Sequence, residues 1–130
     1  MNLLKFQDLI GKKWSDGGRG PDTYDCMGLW LVWAERRGID LKDPDVRCAD
    51  VCPELGLGPL IGPGWAEIAS SEASEDDVMV LPRDGAEAHV AIVMAEGQVL
   101  HCSVMHGVSA APLRWARRYA VRAFRYGSCA

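Results

Sequence analysis

The chain has 130 residues, of which 48% are hydrophobic and 25% charged, and its formal net charge is −4. This length and composition are typical of one globular domain, which we take to cover residues 1–130 and to need no disulfide or metal for its core. The acidic balance disfavours nucleic acid as a partner, and no apolar run reaches the ~20 residues that a membrane-spanning helix needs.

The N-terminal part of the chain predicts helices. Residues 3–10 place apolar side chains at helical spacing, and residues 15–23 are rich in glycine and predict a loop. Residues 26–34 are apolar nearly all round, which predicts a buried helix rather than a half-exposed one. Asp25 is a preferred N-cap residue and Gly38 a preferred end.

The C-terminal part of the chain predicts strands. Residues 39–66 contain many prolines and glycines and predict a long irregular connection, with one short helix around 46–52. Beyond them the pattern predicts strands at 78–81, 88–94, 98–104 and 119–126, with a helical turn at 113–118. Helices that precede strands indicate an α+β domain. Five basic residues near the C-terminus are interpreted as a solvated face: Arg114, Arg117, Arg118, Arg122 and Arg125.

Cys26 falls in the first turn of the predicted buried helix. The unpaired N–H groups and partial positive charge of a helix N-terminus stabilise a thiolate, which is the nucleophilic form of cysteine. A buried structural cysteine is the alternative, because free cysteine is among the most buried residue types. Cys26 is therefore a candidate nucleophile.

His89 and His101 are the candidates for its base. A two-residue turn at 96–97 would place them on opposite faces of their hairpin, because side chains alternate along a strand. A three-residue loop at 95–97, with Gly97 left-handed, would make them diagonal neighbours on one face, and a glycine in the third position favours it. They could then act as base and orienting residue. Ordinary core or surface histidines are the alternative.

The other cysteines offer a rival site. The chain has five cysteines, and its N-terminus does not have the pattern of a signal peptide. These two features predict reduced thiols rather than a disulfide framework. Cys48 and Cys52 have C-x3-C spacing and Cys102 and His106 have C-x3-H spacing, so the four could hold zinc. Because this spacing is unspecific, we predict neither a metal nor a cofactor.

Three blocks of the sequence, in order, resemble the NlpC family of papain-like cysteine peptidases. The family pattern is a glycine pair before Asp-Cys-Ser-Gly-Leu, then a Gly-Asp strand, a His-Val-Gly-Ile strand and a third polar residue. The matching segments are Gly17-Gly18, Asp25-Cys26-Met27-Gly28-Leu29, Asp77-Val78-Met79-Val80, His89-Val90-Ala91-Ile92-Val93 and His101-Cys102-Ser103. The resemblance covers most of the chain.

This resemblance implies an α+β, papain-like fold whose N-terminal helices include a nucleophile helix packed on an antiparallel β-sheet. It also implies hydrolysis of peptide bonds in bacterial cell-wall stem peptides. In that reaction Cys26 would be the nucleophile, His89 the general base and His101 the residue that orients His89. Asp25 would lie beside the substrate's free amine, besides any role as N-cap.

Two departures from the family pattern concern the substrate. Trp14 stands where the family has a tyrosine that lines the active site, and Tyr24 is the candidate to replace that hydroxyl. Met27 replaces the serine after the nucleophile. Because a fold does not fix its substrate, an amidase or acyl-transfer enzyme on the same triad is one alternative, and a catalytically silent assembly protein of a phage tail is another.

We expect neither an export signal nor an appended binding module, and in this the chain resembles phage-encoded members of the family. We therefore expect it to be made in the cytoplasm and incorporated into a phage particle. Its expected partners are peptidoglycan stem peptides and other phage tail proteins.

Overall fold

A computed structural model describes residues 3–41, 43, 64–83 and 86–127 of the chain. The helices are α1 (Cys26–Arg37) and α2 (Leu113–Tyr119), with short 3-10 helices at Leu3–Phe6 and Ser70–Glu72. The strands are β1 (Lys13–Trp14), β2 (Thr23–Tyr24), β3 (Trp65–Ile68), β4 (Val78–Arg83), β5 (Ala86–Val93), β6 (Gln98–Ser103), β7 (Gly107–Pro112) and β8 (Arg122–Tyr126).

Six of the strands form one antiparallel sheet, in the order β3-β8-β4-β5-β6-β7. The two-residue strands β1 and β2 pair in parallel beside it. Gly11 N–H donates to Val108 O, and Val108 N–H donates to Lys12 O, so the N-terminal segment is attached to edge strand β7. The α+β class and the antiparallel sheet are therefore as the sequence predicted.

Helix α1 begins and ends where the sequence predicts. Asp25 is extended and its side chain accepts the Gly28 N–H, while Gly38 is left-handed with φ of 71°. Gly38 N–H donates to Glu35 O, and Ile39 N–H donates to Ala34 O, so both groups bind carbonyls of the last turn. These contacts satisfy backbone groups that a helix leaves unpaired at its ends.

The two helices cover opposite faces of the sheet. Met27, Leu29, Trp30 and Trp33 of α1 are at most 1% exposed and share a core with Val78, Val80, Val90, Ile92 and Leu100. Ala116 of α2 is fully buried in a second core with Met79, Ala91, Val99 and Ala123. Among the described residues, no helix has both the length and the apolar character to span a membrane.

Some elements differ from the sequence predictions. The first helix is a 3-10 turn at Leu3–Phe6 rather than a helix over 3–10. Strand β3, of which Trp65 and Ala66 belong to the predicted irregular connection, pairs with β8 at the sheet edge. Strand β7 was not predicted at all. Both are edge strands, whose structure depends on their pairing partner more than on their own residues. The predicted short helix around 46–52 lies outside the described residues.

Gly28 provides a test of how closely α1 packs on the loop before it. A Cβ on Gly28 would lie 2.2 Å from Gly18 O, which is backbone and cannot rotate away. Gly28→Ala is expected to lower the free energy of unfolding by about 3 kcal/mol, the upper end of over-packing costs, despite alanine's higher helix propensity. Urea unfolding measures the change.

Gly38→Ala is the matched control. A Cβ added at Gly38 has no atom within 4 Å, so the only cost of the substitution is the strain of an alanine in a left-handed backbone conformation. Its expected cost is about 1 kcal/mol. A smaller loss for Gly28→Ala than for Gly38→Ala would contradict the close approach of Gly18.

Candidate active site

His89 and His101 form a hydrogen-bonded pair. His89 Nε2 lies 2.8 Å from His101 Nδ1, and the two rings are nearly perpendicular. Ala91 is the residue opposite His101, so His89 is its diagonal neighbour on the same face of the sheet. The connecting loop has three residues and Gly97 is left-handed, with φ of 72°. The predicted loop and the pairing of the two histidines are confirmed.

His101 is packed beneath the aromatic ring of Trp115. The side chain is 8% exposed, and its ring centre lies 5.1 Å from that of Trp115 in α2. Burial lowers the pKa of His101, and the charge of His106 lowers it further. His101 is therefore neutral near pH 7 and can accept a hydrogen bond from the His89 ring. Trp115 was not predicted, because a helical turn at 113–118 does not reveal which side chain faces the sheet.

Asp25 fixes the start of α1. Its carboxylate is 1% exposed, and Oδ1 accepts both the Gly28 N–H at 2.7 Å and Arg19 Nη1 at 2.9 Å. Its backbone N–H donates to Gly18 O. Its predicted role as N-cap is confirmed, while a contact with a substrate amine stays a prediction. Arg19 was not predicted, because it lies in a glycine-rich loop with no periodicity.

Cys26 is the first residue of α1 and is 2% exposed. It is disulfide-bonded, so the predicted reduced state of this thiol is wrong. A thiol at a helix N-terminus ionises readily, and the thiolate is the form that enters disulfide exchange. The position that suits a nucleophile therefore also suits oxidation.

Cys102 is a free thiol of a different kind. It is buried, and Sγ donates to Tyr24 O at 3.2 Å. Burial, with a smaller effect of the Asp25 charge, raises the pKa of Cys102 to about 12. Cys102 is therefore not ionised near pH 7, and its role is to pack against the segment that leads into α1.

Tyr24 and Trp14 lie in this same segment. Tyr24 is 5% exposed and belongs to the core beneath α1, with its ring over Gly20. Burial raises the pKa of its hydroxyl, opposed by Arg36 in the last turn of α1. Trp14 is half-buried against the same core. Substrate contacts of Trp14 and Tyr24 stay predictions.

A cavity of about 220 Å³ lies at the end of β5 and β6, lined by Pro82, His89, Cys102, Ser103 and Val104. Alternation along β6 turns His101 toward α2 and Cys102 toward the α1 core. Since Cys102 contacts Tyr24, the start of α1 and His89 lie at the same end of the sheet. The contact of Cys26 with His89 stays a prediction.

The rival zinc site gains no support from the described side chains. Cys102 is buried against Tyr24, whereas His106 is exposed. The described part of the chain contains no group of three or more His, Cys, Asp or Glu side chains placed to hold a metal. Cys48 and Cys52 lie outside it.

The buried His101 makes stability depend on pH. An unfolded histidine titrates near pH ~6.5 and His101 titrates below that value when folded, so between these two pKa values the unfolded chain binds more protons. Stability should therefore fall as the pH drops through this window. We expect His101→Gln to reduce that fall, measured as the urea midpoint from pH 8 to pH 5. An unchanged pH dependence in the variant would contradict a buried, neutral His101.

Residues 11–124 match the model of the NlpC/P60 family. The probable endopeptidases p60 of Listeria seeligeri and Listeria welshimeri are each 27% identical over 99 residues, which is 76% of this chain and 16% of theirs. The chain thus spans about a sixth of the length of these curated relatives.

The fold is also similar to solved structures. The NlpC/p60 domain of the peptidoglycan hydrolase SagA has a TM-score of 0.66 at 22% identity, covering 95% of this chain and 94% of that domain. NlpC2 from Trichomonas vaginalis has a TM-score of 0.64 at 27% identity, and the match covers 95% of this chain and 44% of that one. RipB, a peptidoglycan hydrolase of Mycobacterium tuberculosis, has a TM-score of 0.59 at 20% identity, and the match covers 95% of this chain and 61% of RipB. The fold is therefore papain-like. Because the family model matches most of the chain, this protein belongs to the NlpC/P60 family.

Proposed function

We propose that this chain is a cysteine hydrolase that cleaves peptide bonds in bacterial cell-wall stem peptides. Cys26 is the nucleophile, His89 the general base and His101 the residue that orients His89. The observation that carries the proposal is the 2.8 Å hydrogen bond between the two histidines. It supplies a base with an orienting partner at the sheet end where α1 begins. The family and its relatives named as peptidoglycan hydrolases support the substrate.

In the proposed reaction, His89 Nδ1 takes the proton of the reduced Cys26 thiol, and Sγ attacks the carbonyl carbon of the scissile amide. The Cys26 backbone N–H, at the helix start, stabilises the oxyanion. The His89 imidazolium then gives its proton to the leaving amine, which leaves a thioester on Sγ. Water, deprotonated by His89, hydrolyses the thioester to a carboxylic acid and restores the thiol.

The neutral state of His101 matters in each of these steps. When His89 becomes an imidazolium, its Nε2–H can donate to the His101 Nδ1 lone pair. A charged His101 would instead repel the imidazolium and would have no lone pair to offer. The burial of His101 under Trp115 therefore supports a base that gains and loses a proton during the reaction.

A second candidate is a catalytically silent assembly protein. The observation in its favour is that Cys26 is disulfide-bonded, which removes the nucleophile until the bond is reduced. An amidase or acyl-transfer enzyme would use the same three side chains on another carbonyl compound. Incorporation into a phage particle stays a prediction, since none of the relatives named above is described as a phage protein.

The disulfide makes activity depend on a thiol reductant. We expect the reduced protein to release peptides from purified peptidoglycan, identified by mass spectrometry, and the oxidised protein to release almost none. After reduction, iodoacetamide should label Cys26 near pH 7, whereas Cys102 should resist labelling because its pKa is about 12.

Cys26→Ser is the matched variant, because it preserves the size of the side chain while removing the thiol. It should fold and release no peptide in either redox state. Equal cleavage by the oxidised protein, or cleavage by Cys26→Ser, would rule out Cys26 as the nucleophile. Inactivity of the fully reduced wild type on every wall preparation would favour the silent protein.

The histidines should differ in their effects. His89→Ala is expected to lower kcat by about 10²–10⁴-fold, because it removes the general base. His101→Ala should lower kcat by a smaller factor, about tenfold or more, and His101→Gln should restore part of it, because a glutamine oxygen can accept from His89 Nε2–H. The exposed His106→Ala is the control and should keep kcat within about twofold. A larger loss in His106→Ala than in His101→Ala would contradict these roles.

A further inference from the structure

Helix α2 carries a second concave surface on the histidine side of the sheet. Arg114, Trp115, Arg118 and Tyr119 line a cavity of about 390 Å³, here named the α2 cleft. We propose that the α2 cleft binds a free carboxylate of the stem peptide, and this inference rests on the proposed function. It assigns to the substrate a contact that lies outside the three catalytic side chains.

Trp115 connects the α2 cleft with the histidine pair, because its ring packs on His101. The centre of this ring lies 5.1 Å from that of His101 and 6.4 Å from that of Tyr119. Leu113 N–H donates to Gly97 O, which ties the start of α2 to the loop that pairs the histidine strands. A peptide extended past the histidine pair would therefore meet α2.

The charge of the α2 cleft is opposite to that of the chain. The whole chain is acidic, with a formal charge of −4, yet α2 has the sequence LRWARRY and contains no acidic residue. Elsewhere in the described residues arginines pair with carboxylates: Arg19 with Asp25, Arg36 with Asp8, Arg37 with Asp76, and Arg125 with Asp77.

Arg114 and Arg118 differ from these arginines. No carboxylate among the described residues lies within salt-bridge distance of either, and the contact of Arg118 is its guanidinium 5.6 Å over the ring of Tyr119. Arg117, on the same helix, instead donates to Ala73 O at 2.8 Å. The five C-terminal arginines are therefore not one solvated face: Arg114 and Arg118 line the α2 cleft, whereas Arg117 and Arg125 bind other parts of the chain.

The chemistry of the α2 cleft fits a peptide carboxylate. Guanidinium groups bind carboxylates through paired, charge-assisted hydrogen bonds, and the flat rings of Trp115 and Tyr119 offer apolar surface to the adjoining peptide. Two arginines on an acidic chain are too few for tight binding of a nucleic acid backbone. A stem peptide that is not cross-linked through its C-terminus ends in a free carboxylate, so the proposed substrate itself supplies the partner.

The test measures binding without cleavage. Soluble peptidoglycan fragments released by a muramidase are titrated calorimetrically into Cys26→Ser protein, beside the same fragments with their carboxylates converted to amides. Adding both Arg114→Gln and Arg118→Gln to this protein should weaken binding of the natural fragments about tenfold, a factor expected for two exposed charge pairs. Amidated fragments should bind equally weakly to both proteins. Arg122→Gln removes the same charge outside the α2 cleft and should leave binding within about twofold.

Kinetics separate this inference from the proposed function. In the reduced Cys26 protein, the Arg114→Gln, Arg118→Gln double variant should raise KM about tenfold and leave kcat unchanged. Binding of the fragments without any cleavage would contradict the proposed function but would still support the α2 cleft as a binding site. Cleavage with an unchanged KM, or tighter binding of single-stranded DNA or anionic vesicles than of the fragments, would overturn the α2 cleft as a stem-peptide site.

Discussion

The buried carboxylate of Asp25 is the constraint on which the candidate site depends. A charge that is 1% exposed is costly unless it is fully paired, and Asp25 is paired by the Gly28 N–H and by Arg19. Its backbone N–H binds Gly18 O, and that same oxygen lies where a side chain on Gly28 would be. The glycine-rich loop and the first turn of α1 are thus fixed together, and Cys26 is positioned by both.

The sheet divides the site between its two faces. Cys102 and the α1 core lie on one face, and the histidine pair lies on the other with Trp115, yet both reach the same end of β5 and β6. The proposed chemistry therefore concentrates where the strands end, since a thiol from one layer and a base from the other can meet only at the edge of a sheet. This edge is also where Pro82 and Val104 border the cavity next to His89.

The surroundings of His101 and Cys102 shift the pKa of each side chain in the direction that suits its proposed role. Burial lowers the pKa of His101 and keeps it a neutral acceptor, while burial raises that of Cys102 and keeps it an unreactive thiol. Cys26 differs from Cys102 because it lies at a helix N-terminus, where the field favours a thiolate. Of these two cysteines, the one best placed to react is the one that is oxidised, so redox state and proposed activity depend on a single sulfur.

Local sequence was sufficient for the elements whose signals are local. The cap at Asp25, the apolar run of α1, the end at Gly38 and the three-residue loop at 95–97 were all predictable, because each follows from backbone hydrogen bonding or from strand alternation over a few residues. The pairing of His89 with His101 followed from that loop. Edge strands β3 and β7, the packing of Trp115 on His101 and the ion pair of Arg19 with Asp25 required the tertiary structure. Each depends on a partner distant in the sequence, and no local pattern specifies which partner the folded chain brings near.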